Sequence, residues 1–537
     1  MHMRLITSFI SALILLAAAT GCRTVRSLDE VDARVQDRVR AASELEFGDL
    51  PPERAALDVY QRFAAVGDEA VQVDLQSALL LAARHSRSYQ TSRETLYRAA
   101  LALLQTSHQW DTTVANSLSG IFARDFGTEE STLSGDAGLT LGQRFLSGAN
   151  LTMRLAFDSI RYLAGDRRVD LGTLASASLV QPLLAGRGPD LARESLTQAE
   201  RNLIYALRTF VRQRKSLLID VANGYYDVLS AQDAMEIARQ NHETLRSSRE
   251  RSEAMAEAGR VPQFQVDQAR QQELAAHASL VNRQEAFQSA RDNLKRLLGL
   301  PLDTNLEVDR ADLQRLVDAT LPEPPMTLDE ARDQALARRL DQTTRRDQLE
   351  DARRATRIAA DALRARLDLV LSGNARSPRD SRLRDIVWDE GTLTVGLDAE
   401  LPLDKTDEYL AYQRARIDEQ RQERAVDEGA DDITANLRSV WRGLAAARQN
   451  IGIQQISLQL AEQRIGNTEL LFEAGRINIR ELLDAQNDLI GARNQYIAAI
   501  VDYRMNWLRL LYQLEDLPTD PDTLWSPALG DNQPAMP

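Results

Sequence analysis

Between residues 403 and 517 the chain contains no proline, and between 190 and 300 it contains one, Pro262. A proline inside a helix removes a hydrogen bond and clashes with the preceding turn, at about 3 kcal/mol. Gaps this long permit helices far beyond ordinary length. Two are expected, at 190–257 and 406–473, each about 68 residues or roughly 100 Å at the α-helical rise. Four shorter ones are expected at 72–108, 263–299, 327–364 and 478–515, each near 37 residues or roughly 55 Å. Two short helices laid end to end therefore match one long helix. That match suits hairpins with one continuous arm and one spliced arm. Leu437, Leu444, Ile451, Leu458, Ile465 and Phe472 recur every seven residues, which implies left-handed supercoiling against a partner. Val221, Val228 and Met235 show a weaker version. By itself the stripe fits any coiled coil.

The chain is also written twice. Glu257-Ala258-Gly259-Arg260-Val261 returns 216 residues later as Glu473-Ala474-Gly475-Arg476-Ile477. The same offset pairs Tyr225 with Trp441, Ala269 with Ala485, Leu294 with Leu510 and Leu298 with Leu514. Gln181-Pro182-Leu183 resembles Leu401-Pro402-Leu403, and Asp74-Leu75-Gln76-Ser77-Ala78 resembles Thr327-Leu328-Asp329-Glu330-Ala331. Gly259 and Gly475 each follow a helical run, where a residue without Cβ enters the left-handed region freely. Pro262 and Asn478 then begin the return helices, so each half ends in a tight hairpin tip.

Between the helices the pattern changes from helical to alternating. Leu151, Met153, Leu155 and Phe157 alternate with Thr152, Arg154, Ala156 and Asp158. Leu367, Leu369 and Leu371, then Leu393, Val395 and Leu397, repeat this in the second half. Segments near ten residues, apolar on one side and polar on the other, suit a barrel with lipid outside and water inside. A half-buried soluble sheet has the same pattern. Four such segments can be read in the first half, at about 112–124, 138–145, 150–159 and 173–181. Trp110 and Trp388 stand near strand starts, where an interfacial belt or a packed core would each use Trp.

The chain starts with Arg4, a short apolar run from Leu5 to Ala19, and Ala19-Thr20-Gly21-Cys22, the pattern of an export signal. Cys22 is the one cysteine, so no disulfide forms within the chain. Its setting resembles the lipobox of bacterial lipoproteins, in which the thiol takes a diacylglycerol. Ordinary cleavage near Ala19 is the other reading. No later apolar stretch reaches the roughly 20 residues of a membrane-spanning helix. Any membrane crossing would therefore use strands.

Taken in order, the duplicated helix–strand–strand–helix layout, Gln181-Pro182-Leu183, Leu401-Pro402-Leu403, the Ala-Gly-Arg tips and Glu481-Leu482-Leu483-Asp484-Ala485-Gln486 resemble the TolC-type outer-membrane efflux proteins, over about residues 70–515. The resemblance implies a mainly α fold with a transmembrane β-barrel: duplicated helical hairpins forming a trimeric α-barrel tunnel beneath a twelve-stranded barrel, four strands per chain. The first half has two strand segments too many for that count. The hairpin near 138–159 is expected to decorate the barrel rather than join it. The implied layout is a signal peptide at 1–21, an equatorial segment at 22–70 and a first repeat at 71–300, with strands at about 111–181 and its tip at 258–262. A linker at 301–326 leads to a second repeat at 327–515, with strands at about 366–403 and its tip at 474–477, and an irregular tail at 516–537.

The implied function is the outer-membrane channel of a tripartite efflux or type I secretion system, lipid-anchored through Cys22, with the tunnel in the periplasm. The implied partners are two further copies of the chain, a periplasmic adaptor and an inner-membrane pump. Glu481 and Asp484, three residues apart on one helix face, align with acidic residues that line the family's periplasmic constriction. Their first-half equivalents are Gln265 and Gln268. Gly259, Arg260, Gly475 and Arg476 cap the tips that meet the adaptor. A solvated face and plain turn chemistry are the ordinary readings of these same residues. The other function class is a periplasmic, lipid-anchored coiled-coil scaffold that conducts nothing; it leaves the alternating segments without a role.

Composition closes other routes. The net charge is −14 with no basic block, which argues against nucleic acid as a partner. None of the three lysines follows a glycine, so there is no Walker A motif. The five histidines form no His-Glu-x-x-His, and one cysteine cannot build a metal cluster. No enzyme activity, cofactor or metal is expected.

Overall fold

The computed structural model describes residues 27–47, 71–124, 126, 131–164, 169–309, 311–378, 386–401, 403–474, 476–477 and 479–518. The chain divides into two compact units, and neither coincides with one repeat. One is built around Thr95–Leu207 and Arg345–Val426, the other around Arg208–Thr344 and the residues from Asp427 onward.

The first repeat runs β1 (Val71–Val73), α2 (Leu75–His85), α3 (Arg87–His108), β2 (Thr113–Arg124), β3 (Ser131–Arg144), β4 (Asn150–Ala164), β5 (Val169–Pro182), a single turn α4 (Pro189–Ala192), α5 (Glu194–Glu257) and α6 (Gln263–Leu298). It is preceded by α1 (Leu28–Phe47) and followed by β6 (Leu306–Val308) and α7 (Ala311–Asp318). The second repeat runs α8 (Leu328–Arg338), α9 (Leu340–Asp361), β7 (Arg366–Arg376), β8 (Val387–Glu400), α10 (Thr406–Glu473) and α11 (Ile479–Gln513). The proline-free gaps thus hold unbroken helices of 64 and 68 residues. On α10 the seven-residue stripe turns inward, with Leu437, Leu444 and Ile451 buried and Leu458, Ile465 and Phe472 half-buried.

Where one helix is expected at 72–108 and another at 327–364, each is two. The breaks fall at Ser86 and Arg339, both in extended backbone with ψ of 124° and 121°. No proline or glycine marks either position. The starts of these helices are capped in equivalent ways. Asp74 accepts from the Ser77 amide at 2.8 Å, and Thr327 with Glu330 forms a reciprocal capping box. Burial opposes the Asp74 charge, but the Ser77 bonds outweigh it and hold the carboxyl below its ordinary value.

The larger sheet has six strands in the order β2-β3-β4-β5-β7-β8, every neighbouring pair antiparallel. This corrects the expectation that the hairpin near 138–159 stands apart as decoration. β3 pairs with β2 over its length, and β4 pairs with both β3 and β5, so the hairpin lies inside the sheet. The physical reason is backbone valence: strands of 14 and 15 residues need partners for their amides and carbonyls. Register places the apolar residues on one face. Val114 lies opposite Leu141, Leu141 opposite Met153, and Met153 opposite Ala177. Further along, Leu179 lies opposite Leu371 and Leu371 opposite Val395. A hollow of about 500 Å³ on this face is lined from five strands, including Leu139, Leu155, Leu371 and Leu393. Asp136 and Arg154 pair at 3.9 Å on the opposite, polar face.

α6 ends in a left-handed turn at Gly299, φ 77°, with the Leu300 amide bonded back to the Lys295 carbonyl at 2.9 Å. A Cβ there would lie 2.0 Å from the His85 carbonyl oxygen, next to the Ser86 break. Gly299→Ala therefore meets both strain and collision, and a loss of more than about 1 kcal/mol is expected. It would be read as a lower thermal unfolding midpoint of the purified protein; an unchanged midpoint would show that the two helix ends do not need this approach.

Candidate functional site

The first tip is a closed helix end. Gly259 has φ 69°, its amide donates to Ala256 O at 2.9 Å, and the Arg260 amide donates to Met255 O at 2.8 Å. These two bonds satisfy carbonyls that the helix end would leave open. At the second tip the Arg476 amide donates to Leu471 O at 2.9 Å, the same five-residue step back. Gly475 lies outside the described residues, as does Cys22. Because the backbone amides close the turns, the side chains of Arg260 and Arg476 are not needed there, and both are exposed.

Beyond the second tip, Glu481 and Asp484 stand exposed on the first turns of α11. The rest of the same turns is anchored: Leu482 and Leu483 on the other side, and Ala485 beside the acidic pair, are buried. Leu483 packs with Leu245, Ala269, Ala276 and Phe472. The acidic pair is thus held on a fixed face rather than on a loose end. One turn further, Asp488 pairs with Arg464 of α10. In the first repeat, Gln265 and Gln268 are half-buried rather than exposed.

A second cluster of charge surrounds the end of α11. The 216-residue offset carries Gly299 onto Glu515. Glu515 takes up the same left-handed turn, φ 61°, although it has a Cβ. The Asp516 amide closes the turn on Leu511 O at 2.9 Å, matching the bond after Gly299. The Glu515 carboxylate is nearly buried between two cations of α5. Lys215 Nζ donates to its Oε2 and to its backbone oxygen, each at 2.8 Å, and Arg212 donates to Oε1. Burial works against the Arg212 charge, but Glu515 outweighs it and holds the guanidinium above its ordinary value. Arg212 also lies 4.6 Å above the Tyr512 ring. Arg339, at the break between α8 and α9, donates to Gln513 Oε1 in the same region.

Among the described residues no group of three His, Cys, Asp or Glu could hold a metal ion. Among the same residues no helix is long and apolar enough to cross a membrane.

Residues 175–300, from β5 through α6, match the family described as outer membrane efflux protein. The chain is 24% identical over 315 residues to the cobalt-zinc-cadmium resistance protein CzcC of Cupriavidus metallidurans, covering 57% of this chain and 69% of that one. It is 25% identical over 347 residues to the alkaline protease secretion protein AprF of Pseudomonas aeruginosa, covering 63% and 69%. The outer membrane channel CmeC of Campylobacter jejuni shares the fold with a TM-score of 0.63 at 12% identity, over 82% of this chain and 85% of that one.

Over that segment the chain is similar to the outer membrane efflux proteins, and its fold is that of their solved channels.

Reading the sequence for chemistry picks out Glu481 and Asp484 but passes over Glu515, Arg212 and Lys215. The missed signal is the repeat itself: a glutamate stands where the first repeat uses a glycine. A non-glycine residue in the left-handed region costs of order 1–3 kcal/mol, and here two buried ion pairs offset it. Glu515→Ala keeps the strain and removes the nearest carboxylate from both cations, leaving Lys215 its backbone bond and Arg212 only Asp341 at 3.7 Å. The expected loss is toward the lower end of the range of about 3–5 kcal/mol for breaking a buried pair. The expected readout is a clear fall in the unfolding midpoint, partly recovered by adding Lys215→Met. Equal stability of Glu515→Ala and the parent would show that the ion pairs do not hold the turn.

Proposed function

We propose that this chain is the outer-membrane channel of an export machine, a passive duct through which cargo leaves the periplasm. The observation that carries this reading is the six-stranded sheet with one apolar face, joined along the chain to two duplicated helical hairpins. Within such a sheet neighbouring strands satisfy one another's backbone, and only the two edge strands are left to be paired by other copies, while one face suits lipid and the other water. A coiled-coil scaffold has no use for that face. The outer membrane is its location, and the energy for transport comes from a partner.

Three copies form the duct in this reading. In one chain Ile453, Ile456 and Leu460 form an exposed apolar stripe on α10, and Leu274 and Val281 another on α6. Stripes of this kind are ordinarily covered, and neighbouring copies supply the cover. Cys22 carries the lipid anchor. CzcC and AprF are named for metal resistance and protease secretion, and in this reading the machine behind the duct chooses the cargo. A periplasmic adaptor and an inner-membrane pump complete that machine.

Glu481 and Asp484 form the gate. Three copies bring six carboxylates to one narrow opening, which attracts cations and repels anions. Replacing both with Ala is expected to lower the cation-to-anion permeability ratio severalfold and to relieve divalent-cation block in planar bilayers. Unaltered selectivity and block would remove the pair from the conducting path.

The tips dock the adaptor. Arg260 and Arg476 offer forked donors suited to carbonyls and carboxylates, and each tip is already closed by backbone bonds. The double change to Ala is expected to weaken adaptor binding about tenfold or more and to reduce export, with trimer and bilayer conductance intact. Full export with both arginines removed would place docking elsewhere.

A further inference from the structure

The two repeats differ most in their strands. An offset of 253 carries α2 and α3 onto α8 and α9 end for end, and carries the start of β2 onto the start of β7. By the end of β5 the offset to the equivalent point after β8 has fallen to 220. The first repeat therefore holds 33 extra residues across its strands, close to the span Ser131–Ala164 of the β3–β4 hairpin. β2 corresponds to β7 and β5 to β8, and the insertion separates β2 from β5.

We propose that this inserted hairpin is part of the membrane wall, so that each chain contributes six strands, and that β8 of one copy pairs with β2 of the next to close an eighteen-stranded barrel. The proposal rests on the trimeric duct described above.

Three observations support it. First, the hairpin has the amphipathic character of its neighbours. Leu139 and Leu155 share the apolar face and its hollow with Leu371 and Leu393, while Asp136 and Arg154 pair on the polar face. A decoration in water would expose that apolar face. The turn at its end is short, closed by Phe145 N–H to Ala149 O at 2.9 Å, and Gln181 of β5 donates to Ser147 O at 3.0 Å. Second, β2 and β8 are the ends of the sheet. All twelve residues of β2 are exposed, and Leu118 and Val395 at mid-strand are 87% and 65% exposed. Open strand edges do not occur in hydrocarbon, and six strands are fewer than the roughly eight of the smallest such barrels. A second copy is the partner that fits, because it offers the complementary edge. Third, parity is right. Six alternating strands leave β2 and β8 antiparallel to each other, so every junction between copies continues the antiparallel ladder.

The consequence is size. Barrel diameter grows roughly linearly with strand number, so eighteen strands give a mouth about one and a half times as wide as twelve, with roughly twice the cross-section. The extra width serves bulky cargo at the outer mouth, independently of the acidic gate.

Two measurements test this on the full chain. Images of the detergent-extracted assembly should show eighteen strands, with β8 of each copy against β2 of its neighbour. Twelve strands with Ser131–Ala164 outside the wall would overturn the proposal and leave the duct intact. A closed ring of other than three copies, each still giving six strands, would overturn the trimer while supporting the six-stranded contribution. Separately, an environment-sensitive dye at Leu139→Cys in reconstituted protein should be quenched by brominated lipid as strongly as one at Leu397→Cys. Quenching at Leu397 alone would take the hairpin out of the bilayer. Quenching at neither would sink the membrane wall and the duct reading together.

Discussion

Inside a bilayer the peptide group has no water to turn to, and every amide and carbonyl must find a partner within protein. That requirement organises this chain. Among the described residues no helix is long and apolar enough to cross a membrane, and the larger sheet is the amphipathic element to which this requirement applies in the proposed duct. Its six strands are paired edge to edge, with apolar side chains on one face and polar ones on the other. The same requirement acts at the helix ends. The terminal carbonyls of α5, α6, α10 and α11 are each closed by an amide five residues on, which lets long helices stop abruptly and turn.

Duplication gave two similar halves, and each has since been altered at different points. The first repeat keeps glycine at the close approach to His85, has glutamines after its tip, and carries an extra hairpin in the sheet. The second keeps the shorter strand pair, presents Glu481 and Asp484 beyond its tip, and replaces the glycine with Glu515. The alteration at Glu515 shows how strain and charge can be exchanged. A conformation unfavourable for a side chain is held because that side chain joins Arg212 and Lys215. The repeats thus supply a common frame, and the differences between them carry the chemistry.

Much of this is legible in the sequence. The proline gaps located the long helices. Gly259 and the matching motif at Glu473–Ile477 located the hairpin tips, and alternation at Leu151–Phe157 and Leu393–Leu397 located strands. The exposure of Arg260 and Arg476 follows from their places at the tips, whereas Glu481 and Asp484 are exposed where their first-repeat equivalents Gln265 and Gln268 are half-buried. The breaks at Ser86 and Arg339 were not legible. Neither residue is a helix breaker, and each break lies where another helix end comes close: Gly299 beside His85, and Gln513 bonded to Arg339. Local propensity has no term for such an approach.

The sequence by itself determined the periods: helix length, the seven-residue stripe, the two-residue alternation and the 216-residue repeat. These are properties of neighbours along the chain, where the spacing of apolar residues selects the local geometry. Only the tertiary structure decided where the surplus strands go. Alternation says that β3 and β4 have one apolar face, but not which edges they pair with. That choice belongs to backbone hydrogen bonds between segments distant in the chain, and it turned an expected decoration into the middle of the sheet. The tertiary structure likewise decided that Glu515 is a buried anion, because Arg212 and Lys215 stand 303 and 300 residues away along the chain and meet it only when the helices pack.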